Sequence, residues 1–488
     1  MPVAPGELPI YLGLSQGLCR ECRRVVPARY LADAQGVWLE RLCPEHGPAR
    51  ARVAESLAWF QDALRAPMAP RPPAQARPRS AGCPESCGPC SFHAQACHLP
   101  VFSITNACDL RCPICFTYNR ADRLYFMPPE EFQRQIEFVV RATGGTHLVN
   151  VTGGEPFMHP RLFELLALAR RPEIGRVTVN TNGLAIAADP SLARRLAGVG
   201  AYAILSLDTL DRERSLRLHG RDIVDEKRRA LDALEAAGVP TTLLMVLAGG
   251  INEADLAPVL ELAMRREHVR SLTIQCMTYT GQGGGAFLPR RHLPVESVER
   301  MLAEASGGWL RPGDFMPLPS AHPLCYGVSY LVCEPRAGLH PFARLLSREV
   351  LARSLVGGYL LEPTAELETS LRDAIDRLWS EGAEPGLLRA LKSMLTTIYP
   401  TGQSLGVAER QRRAESTVKT LYVHAHMDED TWEVGRAMRC PDQVPVDAER
   451  LIGACNYNLF YRMRDERFWV EPGCAGREAG GCGQEPAP

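Results

Sequence analysis

The chain has 488 residues, 45% hydrophobic and 23% charged, with 55 basic residues against 56 acidic ones. That length supports a barrel-sized domain with smaller modules beside it, and a net charge of -1 gives no long-range field to draw nucleic acid or anionic lipid. No apolar run approaches the roughly 20 residues of a membrane-spanning helix and no secretory leader is legible, so a cytoplasmic location without a transmembrane segment is expected.

The 17 cysteines are the most unusual feature of the composition. Eight of them stand three or four positions from another, too close to staple distant loops but well spaced to bring thiolates onto one soft metal centre in a reducing compartment. Residues 1–65 read as a small metal module. Cys19 and Cys22 in LCRECRR precede Cys43 and His46 in LCPEHG, with strand-like text turning through Asp33 to Gly36. Three sulfurs and an imidazole across a hairpin suit zinc or iron, as in a zinc ribbon or a rubredoxin-like knuckle. Residues 66–80, rich in proline and arginine, read as a linker. Residues 81–100 carry Cys83, Cys87, Cys90 and Cys97. Four thiols close a site, so an auxiliary [4Fe–4S] cluster is expected there, with zinc as the competing occupant.

From about Val101 short apolar runs alternate with amphipathic helices, the pattern of repeated βα units around a parallel sheet. Six strands are expected: Val101–Thr105, His147–Thr152, Arg176–Thr181, Tyr202–Leu207, Thr241–Leu247 and Ser271–Gln275. The fold class is therefore α/β, with residues 101–285 forming a partial (β/α)6 barrel open on one side and chemistry at the C-terminal ends of its strands. The segment Gly281–Gly285, GQGGG, lacks the Gly-Lys-Ser/Thr of a phosphate loop and reads as a flexible turn.

Residues 286–488 read as a helical substrate region ending in a cysteine-bearing segment, with helices at Val295–Ala305, His340–Leu355, Pro363–Trp379 and Pro385–Ile398. Cys325, Cys440 and Cys455 occupy loop settings that could converge on a further cluster. Cys276 and Cys333 suit free buried thiols, and Cys474 and Cys482 lie in the tail. His424 and His426 in YVHAHMDED would share one side of a strand, which for an isolated pair is usually an ordinary polar face.

Cys108, Cys112 and Cys115, in TNACDLRCPICFTY, follow the first expected strand. C-x3-C-x2-C thiolates bind three irons of a [4Fe–4S] cluster and leave the fourth open for an amino-acid chelate, such as S-adenosylmethionine (SAM). With TGGEP ending the second strand, the chain over about residues 100–280 resembles the radical SAM superfamily. The resemblance implies that Gly153, Gly154 and Glu155 meet the methionyl amine, and that Asn180, Asn182, Ser206 and Asp208 meet the ribose and carboxylate. It also implies reductive cleavage of SAM to a 5′-deoxyadenosyl radical, oxygen sensitivity, and reduced flavodoxin or ferredoxin as electron donor.

The order LCRECRR, CPEHG, a four-cysteine run, TNACDLRCPICF and CNYNLFYR resembles the tetraether lipid synthase-like subgroup, which also takes in proteins described as methyltransferases of a hydroxymethyl dihydropterin. That resemblance implies one or two auxiliary [4Fe–4S] clusters, a mononuclear zinc or iron at the N-terminus, and carbon–carbon coupling or methyl transfer on a lipid-like substrate. Ser320 stands where the subgroup usually has another cysteine, so Cys325, Cys333, Cys440 and Cys455 are left to serve a third cluster. The alternatives are radical modification of a pterin, peptide or other polar metabolite, and a non-catalytic iron–sulfur carrier.

Overall fold

The computed structural model describes residues 8–469, apart from 75, 77, 79–80, 89, 119–122, 335–337, 356–357, 383–384, 404, 406 and 448; Cys474 and Cys482 lie outside the described residues. At the N-terminus, β1 (Ile10–Leu18), β2 (Val25–Asp33), β3 (Gly36–Cys43) and β4 (Gly47–Ala54) form an antiparallel sheet in chain order. Asp33 pairs with Gly36 at the β2–β3 turn, and its Oδ1 accepts the Gln35 N–H at 2.8 Å. Ala28, Ala32, Val37, Leu39 and Val53 bury one face together with Phe60 of the following helix, Leu57–Arg65. Ser56 caps that helix by accepting the Trp59 N–H at 3.2 Å.

The main sheet begins with β5 (Leu99–Ser103), β6 (Val149–Thr152), β7 (Val177–Thr181), β8 (Tyr202–Ser206), β9 (Thr241–Leu247) and β10 (Val269–Cys276), which run parallel in chain order. Each lies within two residues of its expected ends. The later strands are β11 (Met316–Pro317), β12 (Tyr326–Glu334), β13 (Gly338–Pro341), β14 (Val418–His424), β15 (Asp442–Pro445) and β16 (Leu451–Gly453). They extend the sheet at both edges, to the order β11-β12-β14-β10-β9-β8-β7-β6-β5-β15-β16, with β13 beside β12. β14 and β15 are parallel to their neighbours β10 and β5, so the parallel run is longer than the six strands expected.

The region after residue 286 is thus not simply helical. The expected helix His340–Leu355 is instead β13, a short turn and a helix over Arg348–Arg353. Strand pairing with β12 captures the chain up to Pro341, and Ser347 then caps a new helix by accepting the Val350 N–H at 3.3 Å. The helices Ala365–Ser380 and Pro385–Ile398 do form, and their apolar stripes pack with Tyr330 and Val332 of β12 in a second core.

No backbone ladder among the described residues closes the sheet into a ring. Its two flanks meet through side chains instead. Tyr326 of β12 donates from Oη to Asp442 Oδ2 of β15 at 2.6 Å, and the Tyr359 hydroxyl donates to the other carboxylate oxygen. Lys419 anchors β14 by donating from Nζ to the carbonyls of Ala263, Met264 and Arg266, the frayed end of a helix, at 2.7–2.9 Å. No described helix is long and apolar enough to cross a membrane.

Candidate active site and metal centres

The chain leaves β5 at Ser103 and runs directly into the loop of Cys108, Cys112 and Cys115, which places the thiols over the C-terminal ends of the parallel strands. Thr105 and Asn106 pin the start of this loop: Thr105 Oγ1 donates to Tyr125 O at 2.6 Å, and Asn106 Nδ2 donates to Arg123 O at 2.8 Å. After β6, the Gly154 N–H donates to Thr105 O at 2.8 Å and the Glu155 N–H to Ala107 O at 2.7 Å. A Cβ on Gly154 would collide with Ala107 O and lie 2.8 Å from Asn106 O, so only glycine lets the two backbones come this close.

GQGGG grips the other end of the loop. The Gly283 N–H donates to Cys115 O at 2.7 Å. Gly281, at φ +63, lies against Phe116 so tightly that a Cβ there would also sit 2.7 Å from Thr117 N. This segment is a clamp on the cysteine loop, not the free turn its composition suggested. Burial pushes the Cys112 thiol up to about 12, helped by the charges of Cys115, Asp208 and Cys108. Metal is therefore needed to hold it as a thiolate.

A cavity of about 400 Å³ opens beneath the three thiols and descends inside the curved sheet. Gly153, Gly154, Glu155, Asn180, Asn182 and Ser206 line it. Glu155 is buried; Oε1 accepts from Thr181 Oγ1 at 2.8 Å and the Phe157 N–H at 3.0 Å, and Oε2 from the Asn182 N–H at 2.7 Å. Burial raises its pKa to about 7 against the pull of those donors. Asn182 is oriented by donating to Asp109 Oδ1 at 2.6 Å and accepting the Leu184 N–H at 2.9 Å.

Asp208 is not part of the lining. It accepts from His219 Nε2 at 2.8 Å and the Val246 N–H at 2.7 Å, tying the ends of β8 and β9 together. Lys227 was missed by the sequence reading. Its Nζ donates to Asn182 O at 2.6 Å and Ser206 Oγ at 2.8 Å, linking two residues of the expected SAM set. Burial lowers its pKa, opposed by Asp208, Cys112 and Glu155. The available signal was its helical face: Lys227 shares the buried stripe of Ala230, Leu231 and Leu234, where a lysine needs a reason.

Deeper in the cavity lie Tyr326, Tyr330, Tyr359 and Tyr422, with His424 and Asp442. The Tyr326 and His424 rings stack at 3.8 Å and 14°. Burial raises Asp442 to about 6, although the Tyr326 and Tyr359 hydroxyls favour its charged form.

The N-terminal group is compact. Cys19, Cys22, Cys43 and His46 hold their ligand atoms within 4.8 Å of one another. The Cys22 and Cys43 sulfurs are 3.9 Å apart, and His46 Nδ1 lies 3.4 Å and 3.6 Å from the Cys43 and Cys19 sulfurs. Tetrahedral zinc with bonds of about 2.3 Å to sulfur and about 2.0 Å to nitrogen requires separations of about 3.5–3.8 Å, so the donors fit one ion. Cys22→Ser is expected to remove about one zinc per chain, read by metal analysis, and to leave the iron content unchanged.

A second such group, His292, Asp428 and Asp430, is a salt-bridge network: Asp428 bonds His292 at 2.8 Å, while Asp430 is held by Arg290 at 2.8 Å and Arg41 at 3.2 Å. Cys83, Cys87 and Cys90 line a separate cavity of about 180 Å³, and Asn456 Nδ2 donates to the sulfurs of Cys83 and Cys87 at 3.6 and 3.2 Å. Cys97 does not line it and is buried at the start of β5. Cys325, Cys440 and Cys455 gather around Arg436 and Asp442. Cys333 lies at the opposite end of β12, and Ser320 Oγ donates to Gly358 O at 3.4 Å.

Residues 102–263 match the model of the radical SAM superfamily, and residues 11–55 that of the HMPTM N-terminal zinc ribbon domain. The chain is similar to a 7,8-dihydro-6-hydroxymethylpterin dimethyltransferase of Methanocaldococcus jannaschii, at 23% identity over 93% of this chain and 95% of that protein. It is similar to a GTP 3′,8-cyclase of Chlorobaculum tepidum at 34% identity, over 36% of this chain and 51% of the cyclase. Among solved structures, Streptococcus suis SuiB bound to S-adenosylmethionine aligns with a TM-score of 0.38 and 20% identity, over 43% of this chain and 47% of that one.

Proposed function

Because the chain carries a radical SAM domain behind an N-terminal zinc ribbon, we propose that it activates a C–H bond on a flat, polar ring substrate for methyl transfer or carbon–carbon bond formation. Cys108, Cys112 and Cys115 hold the open [4Fe–4S] cluster. When bound, the cluster and SAM supply the electron and the radical chemistry, with reduced flavodoxin or ferredoxin as the external donor. The chain supplies position. Glu155 accepts the methionyl ammonium, Asn180 and Ser206 face the rest of SAM, and Lys227 fixes Ser206 and the Asn182 backbone.

The observation that carries the substrate reading is the tyrosine-lined lower cavity with Asp442 in its wall. Aromatic faces suit a planar heterocycle, and a carboxylate suits the amino–imino edge of such a ring. The volume of about 400 Å³ is in the range of small-molecule sites. The relative from Methanocaldococcus jannaschii is named for a pterin, which agrees with this reading. A lipid-like substrate is the second reading: Leu148, Ile204, Leu244 and Val444 also line the cavity, among the polar Asn150, Asn180, Gln275 and Asp442.

The test is anaerobic incubation of reconstituted, reduced protein with SAM and either a hydroxymethyl dihydropterin or an isoprenoid lipid, followed by mass spectrometry. The pterin is expected to raise 5′-deoxyadenosine output and to become alkylated. Turnover with the lipid alone would overturn the substrate reading, and absence of deoxyadenosine under all conditions would favour an iron–sulfur carrier.

SAM binding should depend on pH through Glu155. Only its ionised form pairs with an ammonium, so with a pKa of about 7 the affinity is expected to fall about fivefold from pH 7 to pH 6. Glu155→Gln should bind weakly with a flat profile, as read by equilibrium dialysis.

A further inference from the structure

Each cysteine of the N-terminal group has an arginine within two positions in the sequence: Arg20 beside Cys19, Arg23 beside Cys22 and Arg41 before Cys43. All three arginines reach one short segment after β14. Arg41 is buried and donates to Glu429 O at 2.8 Å and, from both Nη atoms, to Asp430 Oδ1 at 3.2 Å. Arg20 lies 3.8 Å from Asp430 Oδ2, and Arg23 lies 3.6 Å from Glu429 Oε1. An ion that gathers Cys19, Cys22, Cys43 and His46 therefore also fixes where these guanidinium groups stand.

The same segment holds the stretch that becomes the GQGGG clamp. Asp428 Oδ2 accepts the Tyr279 N–H at 3.0 Å and bonds His292 Nε2 at 2.8 Å. Thr280 Oγ1 donates to Glu429 Oε1 at 3.4 Å, and Arg290 donates to Asp430 Oδ2 at 2.8 Å and to Gly284 O at 3.5 Å. Asp428 Oδ1 accepts the Asp430 and Thr431 N–H groups and the Thr431 hydroxyl at 2.8–3.1 Å, which makes the segment rigid. Beyond Tyr279, the Gly283 N–H donates to Cys115 O at 2.7 Å.

We infer that Asp428 and Asp430 are positioning residues for SAM cleavage, carrying the hold of the N-terminal ribbon through the GQGGG clamp to the loop of Cys108, Cys112 and Cys115. Buried carboxylates placed between arginines and backbone donors are costly to leave half-paired, so a shift on one side is felt on the other. Docking of the ribbon has other anchors. Leu324 joins its apolar core, and the Glu55 and Ser56 N–H groups donate to Glu296 Oε2 at 2.6 and 3.0 Å. Loss of one arginine contact should thus loosen the clamp without releasing the ribbon. The consequence for cleavage rests on reading the three cysteines as the open-cluster loop, whereas the coupling itself does not.

The experiment is amide hydrogen exchange on the full reconstituted chain without SAM, read by mass spectrometry over residues 281–285. None of the variants touches the Gly283 N–H directly. Arg41→Gln, with its zinc retained, and Asp428→Asn are each expected to raise exchange there about tenfold, while Val177–Thr181 exchanges as in the wild type. Because both act along one line, the double variant should exchange no faster than the faster single one. Asp430→Asn attacks the same line without altering the ribbon, and Cys22→Ser attacks it by removing the zinc. Both should raise exchange as well. Wild-type exchange over 281–285 in Cys22→Ser or in Asp430→Asn overturns the coupling, as does a double variant whose effect is the product of the two single ones. Deoxyadenosine formation, normalised to bound iron, should fall about tenfold in kcat in Asp428→Asn with KM for SAM within about twofold. Raised exchange with unchanged kcat would keep the coupling and remove its part in positioning.

Discussion

Cys112→Ala is expected to bring 5′-deoxyadenosine formation from SAM to background, a loss of more than about 10³-fold, or about 4 kcal/mol of barrier. The variant should lose about four irons and keep its zinc and its remaining iron. The reason is ligand count. The loop offers three thiols to the cavity that Glu155, Asn180 and Ser206 line, and burial pushes both the Cys108 and the Cys112 thiols up to about 12. Without Cys112, two thiolates are left to hold a cluster against solvent. The other cysteine groups draw on separate segments of the chain, so their metal should survive. Deoxyadenosine at the wild-type rate in this variant would remove the assignment of the open cluster to this loop.

The parallel strands were legible because each is a short segment carrying β-branched or other apolar residues, alternating with polar ones in Val149–Thr152, Val177–Thr181 and Val269–Cys276, and Thr241–Leu247 is placed identically in sequence and structure. The zinc ribbon was equally plain, since its four candidate ligands, Cys19, Cys22, Cys43 and His46, sit at the two ends of one short stretch of strand-like text. What composition could not show was long-range pairing. β14 and β15 join the parallel sheet from more than a hundred residues away, and nothing local marks Val418–His424 as the neighbour of β10.

The site divides in the same way. TGGEP and the cysteine triplet carry their spacing in the chain, so their meeting at the C-terminal ends of β5 and β6 could be expected. GQGGG could not be recognised as a clamp, because its glycines are needed for a contact with Phe116, some 165 residues earlier. Asp208 is a polar strand end that the structure places outside the cavity lining, with its carboxylate accepting from His219 and the Val246 N–H. Lys227 acts through Asn182 and Ser206, neighbours that only the folded sheet supplies.

Gly154→Ala tests whether the clamp on the cysteine loop is as tight as the backbone contacts imply. The added methyl would collide with Ala107 O and lie 2.7 Å from Ala107 C and 2.8 Å from Asn106 O, all of them backbone atoms that no rotamer change can move aside. Either β6 or the start of the cysteine loop must shift, and both are fixed: the first by its ladder with β5 and β7, the second by Thr105 and Asn106. A displacement of about 1 Å at a reacting centre costs about 10²-fold in rate, so SAM cleavage is expected to fall by that factor or more. Gly198→Ala is the control. Gly198 is exposed, its Cβ would meet nothing within 4 Å, and it ends the helix Ser191–Gly198, so the change should leave cleavage intact and stability equal or higher by about 0.5 kcal/mol. If Gly154→Ala instead cleaves SAM at the wild-type rate with full iron, the loop must yield more easily than its hydrogen bonds indicate. The close approach of TGGEP would then be a packing feature without a part in positioning the cluster.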